Sequence, residues 1–301
     1  MRLRGAAVEP TAMELTAERE STRGNEPLIW PNFYIVGAPK CGTSSVWAYL
    51  RGHPEVFFPP IKEPHFFTAP AQSLERYQSL YRKAAGYKAI GDASTSYLWQ
   101  ASASGRIREV SPEARILILL RDPVERAYSH YDMAVRTGKE RLPFAEAVDC
   151  DRSELIAPGM YHEHVLRFFE TFGRERVGVY LMEDLKKDSP GVMAAICRHI
   201  GVDPALMDSK ELARRHNEGL LPRVGWLYKA ARRVLSLKVR QRIFSPAMRI
   251  WLRSSPLLYR RCTPPRDAAM TRRLQSIFEP DVRQLEELLG RKLPELRRSW
   301  I

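Results

Sequence analysis

The residues with the clearest chemical potential lie in one stretch, Gly37 to Ser45, which reads G-A-P-K-C-G-T-S-S. Lys40 supplies a positive charge and Gly42 a flexible backbone position. Three hydroxyl side chains follow directly, those of Thr43, Ser44 and Ser45. Amide groups at the start of a helix, together with the positive end of the helix dipole, bind phosphate groups. The stretch therefore predicts a phosphate-binding loop.

A buried strand and a helix are expected to hold this loop. Phe33 to Val36 is an apolar run typical of a buried strand. A helix is predicted to open at Thr43 or Ser44 and to end before Gly52, which suits the position after a helix. The kinase loop G-x-x-x-x-G-K-[ST] has its lysine where this chain has Thr43. The pattern therefore indicates a phosphate cradle that differs from the usual ATP-binding loop.

A second group of candidate residues follows the apolar run Arg115 to Leu120, R-I-L-I-L-L. A strand that is apolar on both faces is typical of the centre of a parallel sheet. Asp122 suits the N-cap of a helix predicted from Pro123 to Arg136. Arg121 therefore lies at the C-terminal end of a central strand, where open α/β sheets bind ligands. Ser129 lies two turns into the predicted helix.

A third candidate is Glu63, in the segment K-E-P-H-F-F that follows the first helix. A carboxylate beside aromatic side chains is a candidate general base with a raised pKa. On the residues alone, a surface glutamate in a proline-rich loop is the alternative.

Three of these segments resemble motifs of sulfotransferases that use 3′-phosphoadenosine 5′-phosphosulfate (PAPS). G-A-P-K-C-G-T-S-S resembles the loop that binds the 5′-phosphosulfate, and R-D-P-V-E-R-A-Y-S resembles the 3′-phosphate motif R-D-P-x-x-R-x-x-S. K-E-P-H-F-F is similar to N-E-V-H-F-F of the heparan-sulfate-type enzymes. The resemblance implies transfer of a sulfuryl group from PAPS to a hydroxyl or amine, without a metal.

The resemblance also implies roles for the candidate residues. Glu63 is the base that deprotonates the acceptor, and Lys40 acts in catalysis and in binding the donor. The remaining donor-binding residues are Gly42, Thr43, Ser44 and Ser45 at the 5′-phosphosulfate, and Arg121 and Ser129 at the 3′-phosphate. One further motif, E-K-T-P-A-Y-F, is matched by D-A-S-T-S-Y-L, in which Ala93 replaces the lysine. This departure argues against heparan itself. The heparan-type E-x-H-F-F pattern and the basic C-terminal half favour another carbohydrate or a glycolipid as the acceptor, and a small metabolite and a protein tyrosine are the alternatives.

The expected fold is α/β, a P-loop-NTPase-like parallel sheet flanked by helices. We expect a flexible tail over residues 1–27 and a single domain over residues 28–301, with a basic helical C-terminal portion. Other elements are predicted as helices over Ser73–Ala85, Tyr161–Phe172 and Ser189–Ile200, strands over Tyr87–Asp92 and Arg176–Met182, and two C-terminal helices divided near Pro280.

The chain of 301 residues carries a formal net charge of +13 at pH 7, which indicates acidic partners. Residues 219–266 contain twelve Lys or Arg and no Asp or Glu. Two interpretations of this segment are open. It forms helices with solvated basic faces, or it contacts an anionic substrate or a membrane surface peripherally.

Several other patterns bear on compartment and chemistry. The four cysteines have no C-x-x-C spacing and are expected to be reduced thiols, with Cys41 a candidate nucleophile in the loop. His162 and His164 face different sides of the predicted helix, so no metal site is expected. We find no apolar run that could span a bilayer and no secretory signal, and we therefore expect a cytoplasmic enzyme.

Two other functions are considered. A nucleotide kinase of related fold would need a lysine after Gly42 and an arrangement for Mg²⁺. A nucleic-acid-binding protein is suggested by the net charge alone, and its binding would be salt-sensitive without nucleotide turnover. We expect a small-molecule, glycan or glycolipid acceptor and no nucleic acid.

Overall fold

The structure is a computed structural model that describes residues 28–69, 72–150, 152–208, 220–222, 259–261 and 266–300. Five strands form its central sheet, in the order β2-β3-β1-β4-β5, and every neighbouring pair is parallel. The strands are β1 (Phe33–Gly37), β2 (Val56–Phe57), β3 (Ala89–Ala93), β4 (Arg115–Leu120) and β5 (Val177–Leu181). The predicted α/β fold is therefore confirmed.

Helices connect and cover the strands of this sheet. They are α1 (Thr43–Arg51), α2 (Leu74–Ser79), α3 (Ala101–Val110), α4 (Pro123–Thr137), α5 (Phe144–Cys150), α6 (Arg152–Leu155), α7 (Tyr161–Phe172), α8 (Met182–Lys187), α9 (Ser189–Ile200) and α10 (Ala268–Leu289). Helices α7 and α9 both contact β4 and β5. Among the described helices, none is both long and apolar enough to cross a membrane.

The two central strands are buried because their residues are apolar along their whole length. All five residues of β1 are buried, and so are the last five of β4, Ile116 to Leu120. Strands covered on both faces need such continuous apolar runs. The core of the protein therefore lies around β1 and β4, and both end at the same edge of the sheet.

Local capping chemistry determines where the helix after β4 begins and ends. The Asp122 carboxylate accepts hydrogen bonds from the amides of Val124 (2.9 Å) and Glu125 (3.2 Å). Gly138, with φ +74°, ends the helix. The predicted N-cap is confirmed, and the predicted end at Arg136 is correct to one residue.

Two predicted helices differ in length from the structure. The helix predicted over Ser73–Ala85 ends at Ser79 and continues as turns. The two C-terminal helices predicted around Pro280 are one helix, Ala268–Leu289. Proline removes a single helical hydrogen bond, and α10 remains continuous because its buried stripe extends to both sides of Pro280. That stripe includes Leu274, Phe278, Val282 and Leu285, all fully buried.

The predicted tail over residues 1–27 lies outside the described residues. Most of the basic segment 219–266 does so too. The backbone is described there for two short strands, β6 (Leu220–Pro222) and β7 (Tyr259–Arg261), which pair antiparallel. The domain boundaries and the helical character of this segment stay predictions.

Candidate active site

The loop between β1 and α1 presents a helix start at the edge of the sheet. Gly42 has φ +88°, a conformation that glycine adopts without strain, and none of the described side chains caps α1. A Cβ atom at this position would lie 3.4 Å from Met182 Cγ. The first turn carries three predicted residues, the buried Thr43 and the half-buried Ser44 and Ser45. The first amides of the helix are therefore placed to receive an anion.

Lys40 sits in this loop in a strained and strongly charged setting. Its φ of +71° is uncommon for a residue other than glycine. Burial, together with the positive charges of Arg136 and Arg121, lowers the pKa of Lys40 to about 8, against the opposing effects of Asp132 and Glu63. An ammonium in such a setting is stabilised by an anionic ligand.

Arg121 meets the loop at the end of β4. Its Nη1 donates to the carbonyl oxygen of Lys40 at 3.4 Å, and its own carbonyl accepts from the Tyr161 hydroxyl at 2.8 Å. Its Nη2 lies 2.8 Å from Glu125 Oε2, and Arg266 pairs with the other oxygen of Glu125. The fold therefore brings the two predicted phosphate-binding segments together.

One face of α4 continues the site beyond Arg121. Ser129, Asp132 and Arg136 are spaced three and four residues apart, so they share this face. The charges of Asp132 and Arg136 act on Lys40, whereas Ser129 is half-buried and has no described hydrogen bond to Arg121 or the loop. Sequence reasoning missed Asp132 and Arg136, although their helical spacing from Ser129 was a usable signal.

Glu63 lies among three polar neighbours. Its Oε1 is 2.5 Å from Lys62 Nζ and accepts from Thr95 Oγ1 at 3.4 Å, and its Oε2 is 3.3 Å from His65 Nε2. Glu63 and His65 both have left-handed backbone angles, with φ of +63° and +57°. Left-handed residues other than glycine are costly and concentrate at functional sites.

The expectation that the pKa of Glu63 is raised is wrong. Burial does raise it, but the hydrogen bond with His65 and the charge of Lys62 outweigh burial, and the pKa falls to about 2. The aromatic neighbours in the sequence predicted only the effect of burial. Glu63 is therefore an ionised carboxylate at neutral pH. Sequence reasoning did not consider Lys62, although it is adjacent to Glu63 and its ammonium contacts the Glu63 carboxylate.

A buried carboxylate at the end of β3 holds the Glu63 segment in place. Asp92 accepts hydrogen bonds from the hydroxyls of Tyr77 (2.8 Å), Tyr97 (3.0 Å) and Ser94 (2.7 Å). The Ser94 oxygen in turn accepts from the amide of His65 at 3.0 Å. Burial raises the pKa of Asp92 to about 6 despite these hydrogen bonds. Asp92 therefore acts on the site through Ser94 and not by direct contact.

The structure argues against a nucleophilic role for Cys41. Its thiol is fully buried, and burial raises its pKa. Cys150 and Cys197 are free thiols as well, and Cys262 lies outside the described residues. In the part of the chain that the structure describes, no group of three or more His, Cys, Asp or Glu side chains could hold a metal ion.

Comparison with known proteins identifies the family. Residues 31–217, more than half of the chain, match the family described as "Sulfotransferase domain". The chain belongs to this sulfotransferase family. The resemblance inferred from the three motifs is thereby confirmed.

Related proteins support the same assignment. The chain is 34% identical to carbohydrate sulfotransferase 15 of Rattus norvegicus, over 39% of this chain and 30% of the relative. It is 25% identical to heparan sulfate glucosamine 3-O-sulfotransferase 3B1 of Mus musculus, over 59% of this chain and 48% of the relative. It thus spans less than half the length of either.

A solved structure resembles the sulfotransferase domain over nearly its whole length. This is the crystal structure of a sulfotransferase from Alicyclobacillus acidocaldarius, with 28% sequence identity and a TM-score of 0.68. The match covers 90% of this chain and all of that one. It supports the parallel-sheet fold described above.

The sulfotransferase domain brings most of its predicted site residues to one place. Lys40 and Arg121 are in contact, and the charge of Glu63 acts on Lys40. The roles predicted for the individual residues, including that of Ser129, stay predictions.

Proposed function

We propose that this protein transfers a sulfuryl group from PAPS to a hydroxyl or amine of a carbohydrate or glycolipid. Family membership supports the reaction class. The observation that carries the proposal is the contact between Arg121 and the backbone of Lys40 beside the start of α1. It sets two cationic side chains and a helix N-terminus at the carboxyl edge of a parallel sheet, where such folds bind nucleotides.

The cationic and hydrogen-bond-donating residues of the site fit a nucleotide that carries two separate anionic groups. Lys40 and the first turn of α1, with Gly42, Thr43, Ser44 and Ser45, would hold the 5′-phosphosulfate. Arg121 and Ser129 would hold the 3′-phosphate, since a guanidinium can bind phosphate with two hydrogen bonds. When bound, PAPS supplies the sulfuryl group.

In the proposed reaction, Glu63 takes the proton of the acceptor hydroxyl or amine. The acceptor atom forms a bond to sulfur, and the bond between sulfur and the 5′-phosphate oxygen breaks with its electron pair staying on that oxygen. Lys40 faces the charge that develops there. As in phosphoryl transfer, positioning and electrostatic stabilisation should provide most of the rate.

The first test is a thermal shift with 3′,5′-ADP, compared with ADP in the presence and absence of Mg²⁺. A ligand at 100 times its Kd stabilises a protein by about 2.7 kcal/mol, which corresponds to a rise of about 4 °C or more in Tm for a chain of this length. We expect this rise with 3′,5′-ADP, independent of Mg²⁺. It should be lost in Arg121→Ala and retained in Arg82→Ala, which changes an exposed arginine.

A rise with ADP and Mg²⁺ alone would replace this proposal with a nucleotide kinase. No response to either nucleotide, combined with salt-sensitive binding of DNA or RNA, would favour the nucleic-acid alternative.

The acceptor class is inferred from the relatives named for carbohydrate and heparan sulfate sulfation. Release of 3′,5′-ADP from PAPS, measured with a panel of glycans, glycolipids and simple phenols, tests it. Turnover with phenols alone would contradict a carbohydrate acceptor. The cytoplasmic location and the membrane contact of residues 219–266 stay predictions.

A further inference from the structure

Lys62 and Glu63 are consecutive in the chain, yet their side chains meet. In an extended chain, consecutive side chains point to opposite sides. The left-handed backbone of Glu63, with φ +63°, breaks that alternation. Lys62 Nζ consequently lies 2.5 Å from Glu63 Oε1. The backbone of Glu63 thus adopts a strained conformation that places the Lys62 ammonium in contact with the Glu63 carboxylate.

The lysine of this pair is the more buried partner. The Lys62 side chain is 18% exposed, against 35% for Glu63. Lysine is ordinarily among the most exposed residues of a protein. Its reduced exposure and its short contact distinguish this pair from an ordinary surface ion pair, which contributes little.

Other polar groups complete the surroundings of Glu63. His65 from the same segment reaches Oε2, Thr95 beyond β3 reaches Oε1, and the charge of Lys40 acts from the loop after β1. Asp92, buried at the end of β3, interacts electrostatically with His65. Within the described residues, Lys62 makes no hydrogen bond except to Glu63. Its ammonium is therefore directed at one group.

We propose that Lys62 is a positioning residue for Glu63. The Lys62 ammonium holds the Glu63 carboxylate in its orientation and keeps it ionised. The inference rests on the proposed sulfotransferase reaction, in which Glu63 takes the acceptor proton.

The proposed role of Lys62 affects the protonation state of Glu63 at acidic pH. With its pKa at about 2, Glu63 is deprotonated at neutral and mildly acidic pH. It remains able to take the acceptor proton, because that proton becomes strongly acidic as the bond to sulfur forms. Without the Lys62 charge, the carboxylate should titrate nearer its ordinary range, since an opposite charge this close lowers a carboxyl pKa by about 1 to 3 units. Lys62 would then be the reason that Glu63 stays deprotonated in mild acid and can still accept the proton of the acceptor.

The test follows the Glu63 carboxyl by NMR in protein labelled with [5-¹³C]glutamate. Glu63→Gln identifies the resonance by removing it. In the natural protein this resonance should stay at its ionised position between pH 4 and 8. In Lys62→Met, and in Lys62→Gln as a second uncharged variant, the midpoint of the titration should rise by about 1.5 units or more, to a pH above about 3.5. Lys62→Arg should retain the natural behaviour, and so should Lys83→Met, which removes an exposed lysine elsewhere.

An unchanged Glu63 titration in both uncharged variants would overturn the proposal, and so would an equal rise in Lys62→Arg. The titration needs neither donor nor acceptor. The thermal shift of the natural protein with 3′,5′-ADP tests the proposed function separately, so the two failures are distinguishable.

Discussion

The guanidinium of Arg121 donates a hydrogen bond to the backbone carbonyl of Lys40 across 3.4 Å, although the two residues are 81 positions apart in the chain. The contact exists because β1 and β4 are adjacent and parallel, so the segments that leave their carboxyl ends meet at one edge. The two halves of the proposed donor site thus form one surface.

The charge of Lys40 should control binding of the nucleotide product. Lys40→Met should weaken binding of 3′,5′-ADP by about 10- to 100-fold, since a hydrogen bond to a charged group contributes about 1.5–3 kcal/mol. Because the pKa of Lys40 is lowered to about 8, the ammonium loses its proton as pH rises through that value, and affinity should fall there. Calorimetric titrations between pH 6.5 and 9.5 measure both effects.

Lys40→Arg is the matched control, because arginine keeps its charge throughout this range. Its affinity should show no decline near pH 8. If the natural protein and Lys40→Met lost affinity in parallel as pH rises, another group would be responsible.

Glu63→Gln should separate chemistry from donor binding. The amide cannot take a proton, and general bases typically contribute about 10²- to 10⁴-fold to rate. We therefore expect turnover of PAPS, measured with an acceptor of the natural enzyme, to fall by at least about 100-fold while the Kd for 3′,5′-ADP changes little. Equal turnover by the variant and the natural enzyme would rule out Glu63 as the base.

Asp92 should make stability depend on pH in a recognisable direction. Its pKa is about 6 in the folded protein and 3.8 ordinarily, so the folded state binds the proton more tightly. The resulting stabilisation is complete below about pH 3.8 and is lost as pH rises through about 6. The free energy of unfolding of the natural protein, relative to Asp92→Asn, should fall by up to about 3 kcal/mol between pH 4 and 7.

Urea unfolding of both proteins at several pH values measures this difference. Asp281, whose pKa burial also raises to about 6, is present in both proteins and cancels from the comparison. A difference that stays constant with pH would show that Asp92 titrates normally in the folded protein.

Asp122 should stabilise the fold at two places. It caps α4 through Oδ1, and its Oδ2 accepts from the Ser299 amide at 2.8 Å and hydroxyl at 2.7 Å. Asp122→Ala should lower the free energy of unfolding by about 2–4 kcal/mol, and Ser299→Ala by about 1 kcal/mol, because it loses the hydroxyl bond only. Urea unfolding is again the measurement.

Ser276→Ala changes an exposed serine of α10 and should alter stability by less than about 0.5 kcal/mol. A loss in Asp122→Ala no larger than in this control would show that the cap and the link to Ser299 contribute little.

The elements around the site could be predicted because their signals are local. The apolar run of β4, the aspartate after it and Gly138 specify a strand, a cap and a helix end within about 25 residues. The motif residues likewise lie in short segments that resemble known ones. Local signals failed at Pro280, where packing on both sides of the proline keeps α10 continuous.

By itself, the sequence determined the strands β1, β3, β4 and β5, the helices that follow β1 and β4, the family and the candidate residues Lys40, Glu63 and Arg121. Only the tertiary structure decided which of these residues are in contact and how their pKa values are shifted. It brought Arg121 to Lys40, and it placed His65 and Lys62 against Glu63, which lowers the pKa of a carboxyl group whose aromatic neighbours alone would raise it. The physical reason is that capping and strand burial depend on neighbours in the chain, whereas a pKa depends on all charges and burial around a group in space.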